Sequence, residues 1–499
     1  MSKPGRVYLA IDLGASSGRA VLGLLEGGKL KMEEANRFPN SPAPLGGRLY
    51  WDFLSLWNHV LSSMRLCAGR GYSRLSGIGV DTWGVDYGLL GADGKLLGNP
   101  ICYRDSLTEG VERPIRSAVG ERELYRLTGS PLMRISTLSQ LVALRNSPSA
   151  GMLRLSKTLL MMPDLFRYFL SGHKAVELTA AGTSQLANVR SGRWCSRILQ
   201  KLHLPRRIMP EIVKPATVVG RLSPELARRT GLNRAPVVAV VGHDTASAAC
   251  AVPLAGPDCA FLSCGTWSVF GVIHDSPITT DEAFSRGFAN ILGLESVLFV
   301  KIGMGLYLFE NLGRVLASRA RKTTYAEMIE GASHAKPFAC LLDVNSPLFF
   351  VAEDPEPCLQ EFLRRTGQKV SQSTGSIIRS LLEGLAWSYR AATDDLTALT
   401  GRDLTRISLV GGGSRNKMLC QMVADATGLE VVAGPAEATA AGNLAVQALA
   451  TGQLRKAADI RELIKGSFRL TTYRPESTAS WDKNFTRYLE ILDKSRRLK

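Results

Sequence analysis

From end to end the chain alternates short runs of β-forming apolar residues with stretches whose apolar positions recur at helical spacing. The apolar runs at 7–11, 20–25, 77–80, 237–241, 260–263, 269–273 and 407–410 predict strands. Residues 54–66, 374–399 and 416–426 place their apolar side chains on one helical face and predict helices. Such alternation indicates an α/β fold. Two strand pairs resemble each other: VYLAIDLGASSGRAVLGLLEG and CAFLSCGTWSVFGVIHD each run strand, small-residue hairpin, strand. Their similarity predicts a duplicated fold with one phosphate-facing turn from each copy, although either hairpin taken alone is equally an ordinary turn. A chain of 499 residues exceeds what one hydrophobic core fills. The Pro, Gly and charge of RLSPELARRTGLNRAP set a boundary there, giving domains 1–240 and 241–499.

Composition and charge narrow the function classes. The formal charge is +17, from 61 Lys and Arg against 44 Asp and Glu, which favours anionic partners. The basic residues are scattered among acids and form no compact block with aromatics, so a specific nucleic-acid partner is not expected. Nine cysteines without a Cys-x-x-Cys fit neither a disulfide framework nor a zinc site. The most apolar window, near 291–308, is broken by Glu295 and Lys301, so no membrane span is expected. The start of the chain lacks a secretory pattern and points to the cytoplasm.

Candidate chemistry gathers at the turns. In DLGASSGR, Gly14 and Gly18 permit a tight turn, Ser16 and Ser17 present hydroxyls and amides, and Arg19 adds a charged donor for phosphate. A second strand follows where a P-loop or dinucleotide motif would start a helix. Asp12, ending the first strand, suits a hydrated Mg²⁺ that takes few protein ligands. SCGTWS at 263–268 offers the same inventory without a carboxylate, and GGGSRN at 411–416 suits close approach of a nucleoside. In VVAVVGHDTASAAC a strand runs into His243, Asp244 and Thr245. One polar residue would cap the following helix. Three are present, which leaves Asp244 as the candidate base that accepts a proton from an attacking hydroxyl, with Thr245 as the cap. In GVDTWGVDY, Trp83 and Asp86 pair an aromatic face with a carboxylate, as sugar sites do.

Taken in order, DLGASSGR, GVDTWGVDY, YRD at 103–105, GHDTASA, SCGTWS and GGGSRN followed by ADATGLEVVAGPAEATAAGN resemble the FGGY family of carbohydrate kinases, over about 7–454, and most closely its rhamnulose-phosphorylating members. The resemblance implies two actin-like (ribonuclease H-like) domains of duplicated topology flanking an ATP and sugar cleft. It implies ATP- and Mg²⁺-dependent phosphorylation of a ketose at its terminal 1-hydroxyl, L-rhamnulose first. Asp244 would then be the proton acceptor, and His243, Thr245 and Gly84 would contact the sugar. Ala15, Ser16, Ser17, Gly18, Arg19, Thr266 and Gly412 would contact ATP.

Two positions depart from the family pattern. Ile302 stands where an Asn after the Lys contacts the sugar, and Glu310 stands where a Gln lies near ATP. Losing a hydrogen-bond partner for a buried hydroxyl changes discrimination strongly. The departure leaves open another ketose or polyol, such as fuculose, xylulose or a small signalling polyol. A non-catalytic sugar sensor of the same fold would show a lost base or a broken hairpin, and neither is seen.

Overall fold

The computed structural model describes residues 5–254, 256–318, 323–349, 354–369 and 373–497. They form two compact units that are not contiguous halves. The first comprises Met1–Pro253, Ile273–Phe299 and Glu437–Phe468, and the second comprises Leu254–Val272, Val300–Ala436 and Arg469–Lys499. The expected division at 240/241 therefore does not describe the units. Asp244, assigned in sequence to the later domain, lies in the first unit, and so does the segment after Ala436.

In the first unit, β1 (Arg6–Leu13), β2 (Ser17–Glu26), β3 (Lys29–Pro39), β4 (Gly77–Thr82), β5 (Thr217–Arg221) and β6 (Pro236–Ala239) form one sheet in the order β3-β2-β1-β4-β6-β5. β1 runs antiparallel to β2 and parallel to β4, and β4 is parallel to β6. β1 and β4 are almost wholly buried, as near-continuous apolar runs covered on both faces should be. The helix Ala438–Ala450 packs on β1 and β4. A Cβ at Gly79 would lie 2.5 Å from Asn443 Oδ1 and 2.6 Å from Val240 Cγ1, so the glycine lets helix and strand approach.

The second unit repeats the plan. β7 (Cys259–Cys264), β8 (Trp267–His274), β9 (Val297–Met304), β10 (Arg406–Val410), β11 (Glu430–Ala433) and β12 (Thr471–Tyr473) are ordered β9-β8-β7-β10-β11-β12, with a seventh strand, Ala289–Leu292, at the edge beside β9. β7 is antiparallel to β8 and parallel to β10, and β10 is parallel to β11. Four strands correspond in order and direction, β2-β1-β4-β6 with β8-β7-β10-β11, so the duplication read from the two hairpins extends into the centre of each sheet. A 27-residue helix, Thr374–Thr400, buries one face on this unit and ends at Gly401 in the left-handed conformation, a usual helix stop. No helix among the described residues is long and apolar enough to cross a membrane.

Candidate active site

The first hairpin brings Asp12 opposite Arg19 across β1 and β2. Its turn is closed by Gly14 N donating to Ser17 O at 2.9 Å, and the Asn40 amide donates to Gly14 O at 2.7 Å. Ser16 is exposed, with Ala15 and Ser17 half-buried beside it. Gly18 is a packing requirement, since a Cβ there would meet the Phe38 ring at 2.2 Å. Arg19 donates twice to Asp12 Oδ2, at 2.8 and 2.6 Å, and also pairs with Glu437. The guanidinium expected to wait for phosphate is thus engaged by two carboxylates.

Parallel register sets Asp81 on β4 beside Asp12. Asp81 is fully buried: Oδ2 accepts from Asn443 Nδ2 at 2.5 Å, while Oδ1 has no partner. Gln447 steadies Asn443 by donating to its Oδ1 at 2.7 Å and to Leu9 O at 3.0 Å. Burial first, and the neighbouring Asp12 second, hold the Asp81 carboxyl well above the usual range. Sequence reasoning passed over Asp81, yet a signal existed: GVDT places Asp next to last in its strand, as AIDL does.

The third carboxylate opens the helix Asp244–Cys250. The residue at the cap is His243, whose side chain makes no capping bond. Thr245 does not cap either. Its N–H and hydroxyl donate to Asp244 Oδ1 at 2.6 and 3.3 Å. Burial, and then the charge of Asp12, push Asp244 up to about 7. A one-third exposed carboxylate in that range is matched to proton abstraction near neutral pH. Burial lowers His243 to about 4, so its ring is neutral; Nδ1 is buried without a partner and Nε2 lies 3.5 Å from Asp244 Oδ1. Among the described residues no three His, Cys, Asp or Glu side chains converge well enough to hold a metal ion alone.

Gly84 lies against this group. A Cβ there would approach Thr183 Cγ2 to 2.9 Å and His243 Cδ2 to 3.3 Å, so only glycine leaves the imidazole in place. Val85 follows at φ 71°, a strained conformation for a β-branched residue. Trp83 and Asp86 are corrected. Trp83 is 5% exposed and packs on Trp51 with ring centroids 4.2 Å apart. Asp86 is fully buried and accepts from Trp51 Nε1 at 2.5 Å, Trp83 Nε1 at 2.9 Å, Gln140 Nε2 at 2.8 Å and Tyr103 N at 3.3 Å. Its acceptor capacity is used internally, so the pair braces the wall behind Gly84. Asp105 likewise turns inward, accepting from Leu49 N and Leu107 N, both at 2.6 Å.

In the second unit the hairpin closes through Gly265 N donating to Trp267 O at 2.9 Å. Thr266 Oγ1 donates to Glu310 Oε2 at 3.3 Å, bringing together two residues assigned to the nucleotide. Burial raises the Glu310 carboxyl. Of the three glycines at 411–413, two are spent on packing: a Cβ at Gly411 would meet Cys264 O at 2.9 Å, and one at Gly413 would meet Cys264 Sγ at 2.6 Å. Gly412 alone presents open space. Ile302 is 45% exposed on β9, and two residues on, Asn345 Oδ1 accepts from Met304 N at 2.7 Å.

Comparisons with known proteins agree with the two-fold plan. Residues 7–251 match the N-terminal domain model of the FGGY family of carbohydrate kinases, and 260–451 match its C-terminal domain model. A rhamnulokinase of Bacteroides thetaiotaomicron is 39% identical over 96% of this chain and 98% of its own length. A rhamnulokinase of Enterococcus faecalis is 34% identical over 98% of each chain. Among solved structures, a gluconate kinase and a ligand-bound xylulose kinase, both from Lactobacillus acidophilus, superpose with TM-scores of 0.82 over 98% of each chain, at 16% and 15% identity. At that identity the likeness is one of fold.

Proposed function

The chain belongs to the FGGY family of carbohydrate kinases, and from that premise we propose that it transfers the γ-phosphoryl group of ATP to the 1-hydroxyl of L-rhamnulose. One observation carries the chemistry: Asp244, at the start of its helix, is raised to about 7 by burial and by Asp12 and stays accessible. It accepts the proton of the attacking hydroxyl as the oxygen–phosphorus bond forms. His243 offers its unpartnered Nδ1 to a sugar hydroxyl, with its ring seated against Gly84. Thr245 holds the Asp244 carboxylate in its rotamer and borders the sugar. Ala15, Ser16, Ser17 and Gly18 supply turn amides and hydroxyls to phosphate oxygens, with Arg19 balancing charge. In the second unit, Thr266, Glu310 and the open face of Gly412 are the nucleotide contacts.

Mg²⁺ fits the donor set, because Asp12 and the unpartnered Oδ1 of Asp81 are hard oxygens on adjacent strand ends. When bound, it would neutralise charge on the phosphate oxygens. Few protein ligands suit a mostly hydrated ion. The enzyme acts in the cytoplasm, where ATP is found, and needs no nucleic acid.

The choice of L-rhamnulose rests on the names of its relatives. Ile302 favours a second reading, a kinase for another ketose or a polyol, because its apolar, exposed side chain gives a sugar hydroxyl no partner. A coupled ADP-release assay over L-rhamnulose, L-fuculose, D-xylulose and glycerol separates the readings. Highest kcat/KM on L-rhamnulose, with phosphorus NMR placing the ester on O1, is expected. Preference for another sugar selects the second reading, and no turnover by folded protein with Mg-ATP sinks both.

A further inference from the structure

A buried carboxylate outside the reacting group ties its parts together. Glu177 is wholly buried, and its oxygens cap the six-residue helix Leu178–Thr183 by accepting from Thr179 N at 2.9 Å and Ala180 N at 3.2 Å. The same carboxylate leaves its own helix and accepts from Gly242 N at 2.9 Å, the residue just before His243. Gly242 has no room to drift, since a Cβ there would lie 3.1 Å from Glu177 Oε2. Thr179 completes the link. Its hydroxyl donates to Glu177 Oε2 at 2.6 Å and accepts from His243 N at 3.2 Å. At the helix's other end, Thr183 Oγ1 accepts from Val85 N at 3.0 Å, and Thr183 packs against Gly84.

One short helix thus holds two backbone segments that sequence separates by about 160 residues: the strained turn at Gly84–Val85 and the loop of His243 and Asp244. A cap needs only the Thr179 and Ala180 amides. Reaching the Gly242 amide is an additional task, and the element around Glu177 is itself anchored, with Glu177 N donating to Asp164 Oδ1 at 3.0 Å.

We propose that Glu177 and the helix it caps are a positioning element for phosphoryl acceptance, with Thr179 setting His243 and the base Asp244 and Thr183 setting the Gly84 wall. The inference rests on the reading of Asp244 as the base. Glu177 touches no reactant. Its carboxylate answers four donors; an amide of the same shape must turn its NH₂ toward at least one of them, so Glu177→Gln loosens the loop without deleting volume.

The test compares Glu177→Gln, Thr179→Val, Thr179→Ser and Thr183→Val with the parent enzyme, in steady-state kinetics and in kcat against pH. A displacement near 1 Å costs about 10²-fold in rate. The expected result is a kcat loss of that order in Glu177→Gln and Thr179→Val, an unchanged KM for ATP, and recovery in Thr179→Ser. The acid limb of the surviving activity should move to lower pH, because a loosened loop hydrates Asp244 and lets its pKa fall. Thr183→Val should instead raise KM for the sugar and spare kcat. A lower melting temperature with kinetics and acid limb unchanged in all variants would overturn the proposal, as would failure of Thr179→Ser to recover. If Glu177→Gln does not fold, the three threonine variants decide by the same criteria. Asp244→Asn is assayed alongside: its retaining full rate would remove the base reading, an outcome separate from silent threonine variants beside an inactive Asp244→Asn.

Discussion

The two hairpins share a plan and differ in what surrounds them. Each joins antiparallel strands through a glycine whose N–H closes the turn at 2.9 Å. Around the first, Asp12, Asp81, Arg19 and Glu437 form a charged set. Under the second lie neutral groups: the Ser268 hydroxyl and Tyr389 hydroxyl are 2.5 Å apart, with Cys264 Sγ 3.7 Å from each. Duplication supplied two equivalent turns, and divergence gave the first a cluster of carboxylates with a guanidinium and the second a hydroxyl and thiol floor with a single carboxyl, Glu310, on Thr266.

That contrast can be broken at several points. The largest effect is expected at the charged hairpin. Arg19→Met removes the partner of Asp12, and breaking a largely buried pair costs about 3 kcal/mol, read from urea unfolding. A loss below that of a surface pair would mean the Asp12 carboxylate is well solvated. Next, Gly413→Ala drives a methyl into Cys264, and overpacking of this kind costs about 1–3 kcal/mol. Gly412→Ala meets nothing and should leave stability unchanged while raising KM for ATP. Equal unfolding midpoints for the two would erase the distinction drawn between those glycines. A smaller change, about 1 kcal/mol for one lost hydrogen bond, is expected for Tyr389→Phe, where no charge is stranded. The smallest is a shift in a pH profile. Asp244 is protonated below about 7 and cannot accept a proton, so kcat should fall as pH drops through that value. Asp12→Asn removes a charge that raises Asp244, so the limb should move to lower pH in whatever activity remains. Movement to higher pH would contradict that electrostatic account.

Much of this was legible in the chain. Both hairpins, the glycine turn and the strand-to-helix passage at Asp244 are local features, written in residues that touch their sequence neighbours. Trp83 and Asp86 were misread because an aromatic beside a carboxylate looks the same in a sugar wall and in a core. What distinguishes them is that Asp86 answers Trp51 and Gln140, 35 and 54 residues away. The Thr245 cap failed for a nearer reason: the helix begins at Asp244, which leaves Thr245 inside its first turn, where its N–H and hydroxyl donate to the Asp244 carboxylate. Asp81 shows its environment only through Asn443, 362 residues on, and no periodicity reports such a contact. The division into halves failed likewise, since the small-residue run of 438–450 carries no mark of the sheet it covers.

That returning segment has a consequence for how the protein is made. Residues 437–468 complete the first unit, with Asn443 and Gln447 satisfying groups on β4 and β1. During synthesis, which proceeds at about 5–20 residues per second, the early sheet must wait for most of the chain before this helix can cover it. Until then Asp81 lacks its amide partner and the apolar strands lie open on one side. The nascent first unit is therefore an incomplete body in search of a late strip of its own sequence, and that interval is when a chaperone has most to protect.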